Sequence, residues 1–135
     1  MNADIITSAA HASHAGHVSF PEFVGVLIEQ GVEYYYVNFI ALQTSFYSSE
    51  GSAVSVPLPF ESLPAVSADF DARGLKAAIL DSQNSSQSYR KFSERAMQSG
   101  VLGYFAFLRG KRVIYIGRQG DQHIEWFPGA SPESA

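Results

Sequence analysis

Three of the chain's four histidines, His11, His14 and His17, fall at spacing three within the stretch AHASHAGHVSF, residues 10–20. Neutral imidazoles are common ligands for divalent metals, so the tract is the first place to look for a metal site. On a helix a step of three turns the side chain by about −60°, so neighbours meet while all three span about 120°. That arc is wide for one ion. Gly16 and Pro21 end the helix near residue 15, which leaves His17 in a turn. Helical zinc pairs use spacing four and draw a third ligand from elsewhere. His14 and His17 therefore read as a helix end, and no metal or other cofactor is expected. His11 stays open as a cap, a pocket wall or an anion contact.

His123 and Glu125 stand at i and i+2, on one face of a strand. A carboxylate beside an imidazole orients it and raises its pKa, which is how general acid–base pairs are built. With His11 they form the candidate catalytic set of a hydrolase-like or metal-dependent enzyme, and that reading requires all three to converge in one cleft. The competing reading is a solvated edge strand. There is no cysteine, so disulfides, thiolate metal sites and a cysteine nucleophile are excluded. No phosphate-cradling glycine loop or nucleophile elbow is present.

The elements that would position these groups follow from an internal repeat. At an offset of 69 residues FPEFVGVLIEQGV (20–32) falls on YRKFSERAMQSGV (89–101) without a gap, matching Phe23 with Phe92, Gly31 with Gly100 and Tyr35 with Tyr104. Each half predicts two helices, about 3–14 and 20–30, then 71–83 and 88–99. Ser19 with Glu22 forms a capping box, and Gly31 and Gly100 stand as left-handed helix stops. Three strands follow in each half: 33–40, 44–49 and 53–58, then 102–108, 112–117 and 122–127. Gly51, Gly110 and Gly120 are the expected turn glycines. The fold class is α+β, two-layer, with helices packed on an antiparallel sheet built from two ααβββ halves. One domain covers 1–128, with pseudo-repeats 2–59 and 71–128, a Pro-rich linker at 57–70 and a disordered tail at 129–135.

Tyr35, Val37 and Phe39 map onto Tyr104, Ala106 and Leu108, so both halves share one apolar sheet face. Tyr34 and Tyr36 project to the other side, where a second layer or a partner belongs. One strand breaks the parallel, because Val54 and Val56 correspond to His123 and Glu125. Either the register slips by one there, or the two polar residues point together into a half-buried place.

The pattern AH at 10–11, FPEF at 20–23, GV at 31–32, Tyr47, Gln83, SYRKF at 88–92, GV at 100–101, Tyr115, Gly120, Glu125 and Pro128 resembles the YbcV/YdfO-like prophage-associated family. These proteins are sometimes labelled phage envelope protein. The resemblance spans about residues 9–128 and implies an α+β two-layer fold with no established activity. Gln83 and Tyr115 of that pattern join Tyr34, Tyr36 and Tyr47 as the candidate ligand-binding set.

All nine Lys and Arg lie at Arg73 or beyond, whereas eight of the thirteen acidic residues precede it. This departs from the lysine-rich look of the family. The basic half could touch phosphate if Arg90, Lys91, Arg109 and Arg112 formed one stripe, yet the net charge of −4 and the absence of a recognition signature argue against nucleic acid. Complementary halves suit a homodimer. No signal peptide and no membrane span are read, so a cytoplasmic protein is expected. The expected function is non-enzymatic binding of a small ligand or a protein, with the His/Glu enzyme second and weak nucleic-acid binding third.

Overall fold

The helix starts are written into four side chains. The computed structural model describes residues 1–84 and 87–130. Asn2 accepts a hydrogen bond from the Ile5 N–H at the head of α1 (Ala3–His14), and Ser19 with Glu22 closes a capping box on α2 (Phe20–Glu29). Asp71 accepts from the Gly74 N–H to start α3 (Ala72–Gln83), and Ser88 accepts from the Lys91 N–H to start α4 (Tyr89–Gln98). Each cap satisfies a donor that the helix itself cannot, worth about 1 kcal/mol. Gly31 and Gly100, at φ +83° and +94°, end α2 and α4 and feed directly into strands.

The strands are β1 (Val32–Asn38), β2 (Gln43–Ser48) and β3 (Ala53–Pro57), then β4 (Val101–Phe107), β5 (Arg112–Gly117) and β6 (Gln122–Trp126). They form one sheet in the order β3-β2-β1-β4-β5-β6, antiparallel at every step. In the central ladder Tyr36 pairs with Phe105, and these two are repeat mates. A pseudo-two-fold axis therefore passes through that pair, and the expected architecture of two ααβββ units holds.

The helices cover one face. Tyr35, Val37, Phe46 and Val56 from the first half and Tyr104, Ala106, Val113 and Tyr115 from the second are buried under Ile6, Leu27, Leu75 and Phe92 in one continuous core. Burying each of the Val, Leu, Ile and Phe side chains among them contributes about 1.5–3 kcal/mol. α1 packs against β3, at one edge of the sheet.

The first turn of each half is left-handed at a residue other than glycine. It is Leu42 (φ 55°) in one half and Lys111 (φ 56°) in the other, again 69 apart, and Gly110 lies in the second of these turns, as expected, without taking the positive φ. The Asn38 side chain accepts from the Ile40 and Ala41 N–H groups and steadies the first of these turns. Gly51 and Gly120 do take positive φ, as expected.

The Pro-rich segment after β3 is a strap rather than a free tether. Val66 is buried, Ser67 donates to the Met97 carbonyl, and Asp71 donates to that of Ser99. Arg118 and Gln119 reach back to the Val66 and Ala68 carbonyls. At the C-terminal end Ala130 donates to the Phe127 carbonyl, and the rest of the expected tail, 131–135, lies outside the described residues.

Candidate functional site

The irregular strand resolves without a register slip. Tyr115 pairs with His123 and Val113 with Glu125, so both polar side chains point to the helix-covered face where the first half has Val54 and Val56. His123 Nε2 and Glu125 Oε2 meet at 2.9 Å, with 16% and 32% of the side chains exposed. The pair sits beside the Tyr115 ring, 6.2 Å between centroids. His11 does not join it. It is exposed on α1, which packs at the β3 edge, whereas the pair lies on the β6 edge. Five strand spacings separate those edges, about 24 Å.

Inside the core, tyrosines of the second half meet. Tyr89 and Tyr104 share a hydroxyl–hydroxyl hydrogen bond, and the Tyr104 and Tyr115 rings lie 5.1 Å apart. Burial pushes the Tyr89 hydroxyl up to about 12 and those of Tyr35, Tyr104 and Tyr115 well above the usual phenol range, with the Glu125 charge adding to the last. These phenols therefore stay protonated at neutral pH.

The histidine tract does not assemble either. His14 turns inward and stacks on Tyr89 at 5.6 Å and 15°, with Phe60 at 5.9 Å. Desolvation, with His11 nearby, lowers its pKa to about 4, so its imidazole is neutral. Its Nδ1 is sealed off without a hydrogen-bond partner. His11 and His17 are exposed, and among the described residues no three His, Asp or Glu side chains come close enough to hold a metal.

The candidate ligand-binding residues divide. Tyr34, Tyr36 and Tyr47 share the helix-free face of the sheet, Tyr115 lies on the covered face, and Gln83 is exposed at the end of α3. On the helix-free face the Tyr34 ring stacks on Tyr47 at 4.9 Å, and Tyr36 stacks on Phe105 at 4.4 Å. Phe105 continues to Phe107 at 5.7 Å, and the Arg112 guanidinium lies 4.3 Å over the Trp126 ring. Three rungs cross the whole sheet here, and Arg112 is their one charged residue. Among the described residues no helix covers this face. Ile124 is 45% exposed on it.

The two halves differ most on this face. Where the first half has Ser45, Ser55, Asn38 and Pro57, the second has Ile114, Ile124, Phe107 and Trp126 at the same structural positions. Sequence reasoning assigned no site to these four residues. The offset of 69 would have exposed them, had outward positions been compared as inward ones were. The cationic residues do not form a stripe. Arg90 is on α4, paired with Glu94 and bonded to the Glu61 carbonyl, while Arg112 is on the opposite side of the sheet.

Shallow depressions accompany the fold. One of about 300 Å³ lies between Val24, Ile28, Leu108, Lys111 and Phe127, and one of about 550 Å³ lies around Ile40, Val66, Leu102 and Arg118. Neither encloses the tyrosines or the His123–Glu125 pair. Among the described residues no helix is long and apolar enough to cross a membrane.

A family model described as a protein of unknown function, DUF1398, matches residues 8–125. No curated protein matches the chain.

Proposed function

Because the chain belongs to the DUF1398 family, for which no function is defined, its role has to be read from its own surface, and we propose that it is a non-enzymatic protein-binding module. Its working surface is the helix-free face of the sheet. The observation that carries this reading is the contrast between Ile114, Ile124, Phe107 and Trp126 and their mates Ser45, Ser55, Asn38 and Pro57. The first half builds the same strands with polar residues or proline at those positions, so the fold does not require them to be apolar. A contiguous apolar patch left in water is costly unless something covers it. The stacked tyrosines beside it are rigid, and their hydroxyls can bond at the rim of an interface.

The enzyme reading has less support. The His123–Glu125 pair meets, but His11 is apart from it and the adjacent tyrosines are held protonated. Within the family, the stretches AH, FPEF and SYRKF favour the YbcV/YdfO-like prophage-associated proteins, and that placement is part of the proposal.

An environment-sensitive apolar dye tests the surface. At about 1 µM protein, wild type should enhance the dye's fluorescence. The Ile114→Ser/Ile124→Ser variant, which copies the first half, should lose that enhancement while its far- and near-ultraviolet circular dichroism stays unchanged. Equal enhancement in both would place the apolar surface elsewhere and defeat the reading.

A further inference from the structure

Resting on that reading, we infer that the occupant of the helix-free face is a second copy of this chain. The two copies pack sheet on sheet about a two-fold axis that lies between the sheets and runs across the strands.

Charge narrows the choice first. The middle rung, Ser55–Ser45–Tyr36–Phe105–Ile114–Ile124, carries no charge, and the flanking rungs carry only Arg112, already placed over Trp126. A nucleic acid or a charged peptide finds almost nothing there to pair with. An uncharged surface is compatible with itself, which is what an isologous interface needs.

The distribution of side chains selects the axis. An axis across the strands sets β6 on β6 and β3 on β3, so the apolar half of each face meets the apolar half of the other. Ile114 and Ile124 then face their own counterparts, and Ser45 and Ser55 face serines. An axis along the strands would set Ile124 over Ser55 and bury apolar groups against hydroxyls. Aligned sheets packed about 10 Å apart keep their strands within about 30° of each other, which this arrangement allows.

The area is sufficient for a reversible pair. Six strands at about 4.8 Å and five residues at about 3.3 Å give a footprint of about 500 Å² per copy, or about 1,000 Å² in all. That is near the threshold of about 1,000 Å² for a biological interface and in the weak, reversible class, so association is to be sought at micromolar concentrations and above. The sheet edges are poor competitors. β3 ends in Pro57, with Pro59 beyond it, and Pro128 follows β6, and these residues have no N–H to offer an added strand.

Sedimentation velocity of the full chain from about 1 to about 300 µM tests the inference at concentrations chosen for a micromolar dimer. The expected result is a weight-average mass that rises from 14.7 kDa towards twice that value. Ile114→Arg and, independently, Ile114→Ser/Ile124→Ser should stay monomeric throughout, with circular dichroism matching wild type. The apolar-dye signal per chain should also fall as wild type associates. A wild type that stays monomeric at every concentration overturns the inference, and so does a dimer that both variants form equally well. In the monomeric case, dye binding that the serine variant abolishes would leave the apolar surface standing with another occupant. No dye binding would remove that reading as well.

Discussion

Tyr36 and Phe105, 69 residues apart, sit directly opposite one another in the central ladder with their rings stacked at 4.4 Å. Each is the other's repeat mate, so the pair marks the axis about which the chain's two halves close into one sheet. The helix-covered side of that axis, with Tyr35 and Tyr104 both buried, is largely alike in both halves apart from His123 and Glu125 in place of Val54 and Val56. The open side is not, and the difference between the two sides is the main functional clue in the molecule.

Coupling across the axis is measurable. A double-mutant cycle of Tyr36→Leu and Phe105→Leu, read by urea unfolding, should give an interaction energy of about 1 kcal/mol, the usual strength of an aromatic pair beyond its burial. Additive single effects would mean that the two rings are only neighbours.

Two glycines with the same helix-stopping job should respond unequally to alanine. Gly31 needs only its positive φ, because a methyl group there would meet open space. Gly100 has a positive φ too, and its added carbon would stand 2.5 Å from the Asp69 carbonyl oxygen of the strap. Gly31→Ala should cost about 1 kcal/mol, the left-handed penalty, and Gly100→Ala at least twice that, in chemical denaturation. Equal costs would show that the strap yields freely.

The element order, the helix starts and the repeat were legible because they rest on local signals: caps, stop glycines and periodicity in Phe23, Leu27, Phe92 and Ala96. The left-handed turn residues Leu42 and Lys111 were not, because neither is a glycine, and the first of these turns is steadied by the Asn38 side chain instead. The inward turn of His14 was hidden for a related reason. Its stacking partner Tyr89 comes from the other half, and spacing within one helix says nothing of that contact. The site reading brought together His123 with Glu125, and Tyr34 with Tyr36 and Tyr47, since strand alternation is a local rule. It did not foresee that His11 would stay away, because helix placement across a sheet is a tertiary outcome.

His14 should make stability depend on pH in a definite direction. Its folded pKa of about 4 lies below its ordinary 6.5, so between those values the unfolded chain binds a proton that the folded chain refuses. Its contribution is full above pH 6.5 and is lost as pH falls towards 4. The melting temperature of wild type should drop across that window more steeply than that of His14→Phe, which keeps the stack on Tyr89 without a titrating nitrogen. The ring is partly exposed, which moderates the effect. Parallel declines would assign the pH dependence to other groups.

The His123–Glu125 pair occupies positions that the first half fills with Val54 and Val56. Replacing a half-buried polar pair by apolar groups of suitable volume is commonly neutral or stabilising, while removing one partner leaves the other poorly solvated. His123→Val/Glu125→Val should therefore unfold within about 1 kcal/mol of wild type or above it, and His123→Val alone should fall below the double variant. A double variant that lost several kcal/mol would make the pair a structural tie.

Neighbouring residues on β5 give the sharpest separation of the two faces. Val113 points into the core, 9% exposed, and Ile114 points to the helix-free side. Serine at 113 removes packed methyl groups and buries a hydroxyl that must find a partner, a loss of about 3 kcal/mol. Serine at 114 reproduces what Ser45 already does in the other half, and in dilute monomer it should cost about 1 kcal/mol or less. At high concentration the order should compress, because wild type gains stability from association and Ile114→Ser does not. Urea midpoints for both variants and wild type, taken at about 1 and about 300 µM as in the association experiment, separate what the fold requires from what the face is for. If Ile114→Ser were as damaging as Val113→Ser in the dilute monomer, the apolar rung would belong to folding rather than to binding.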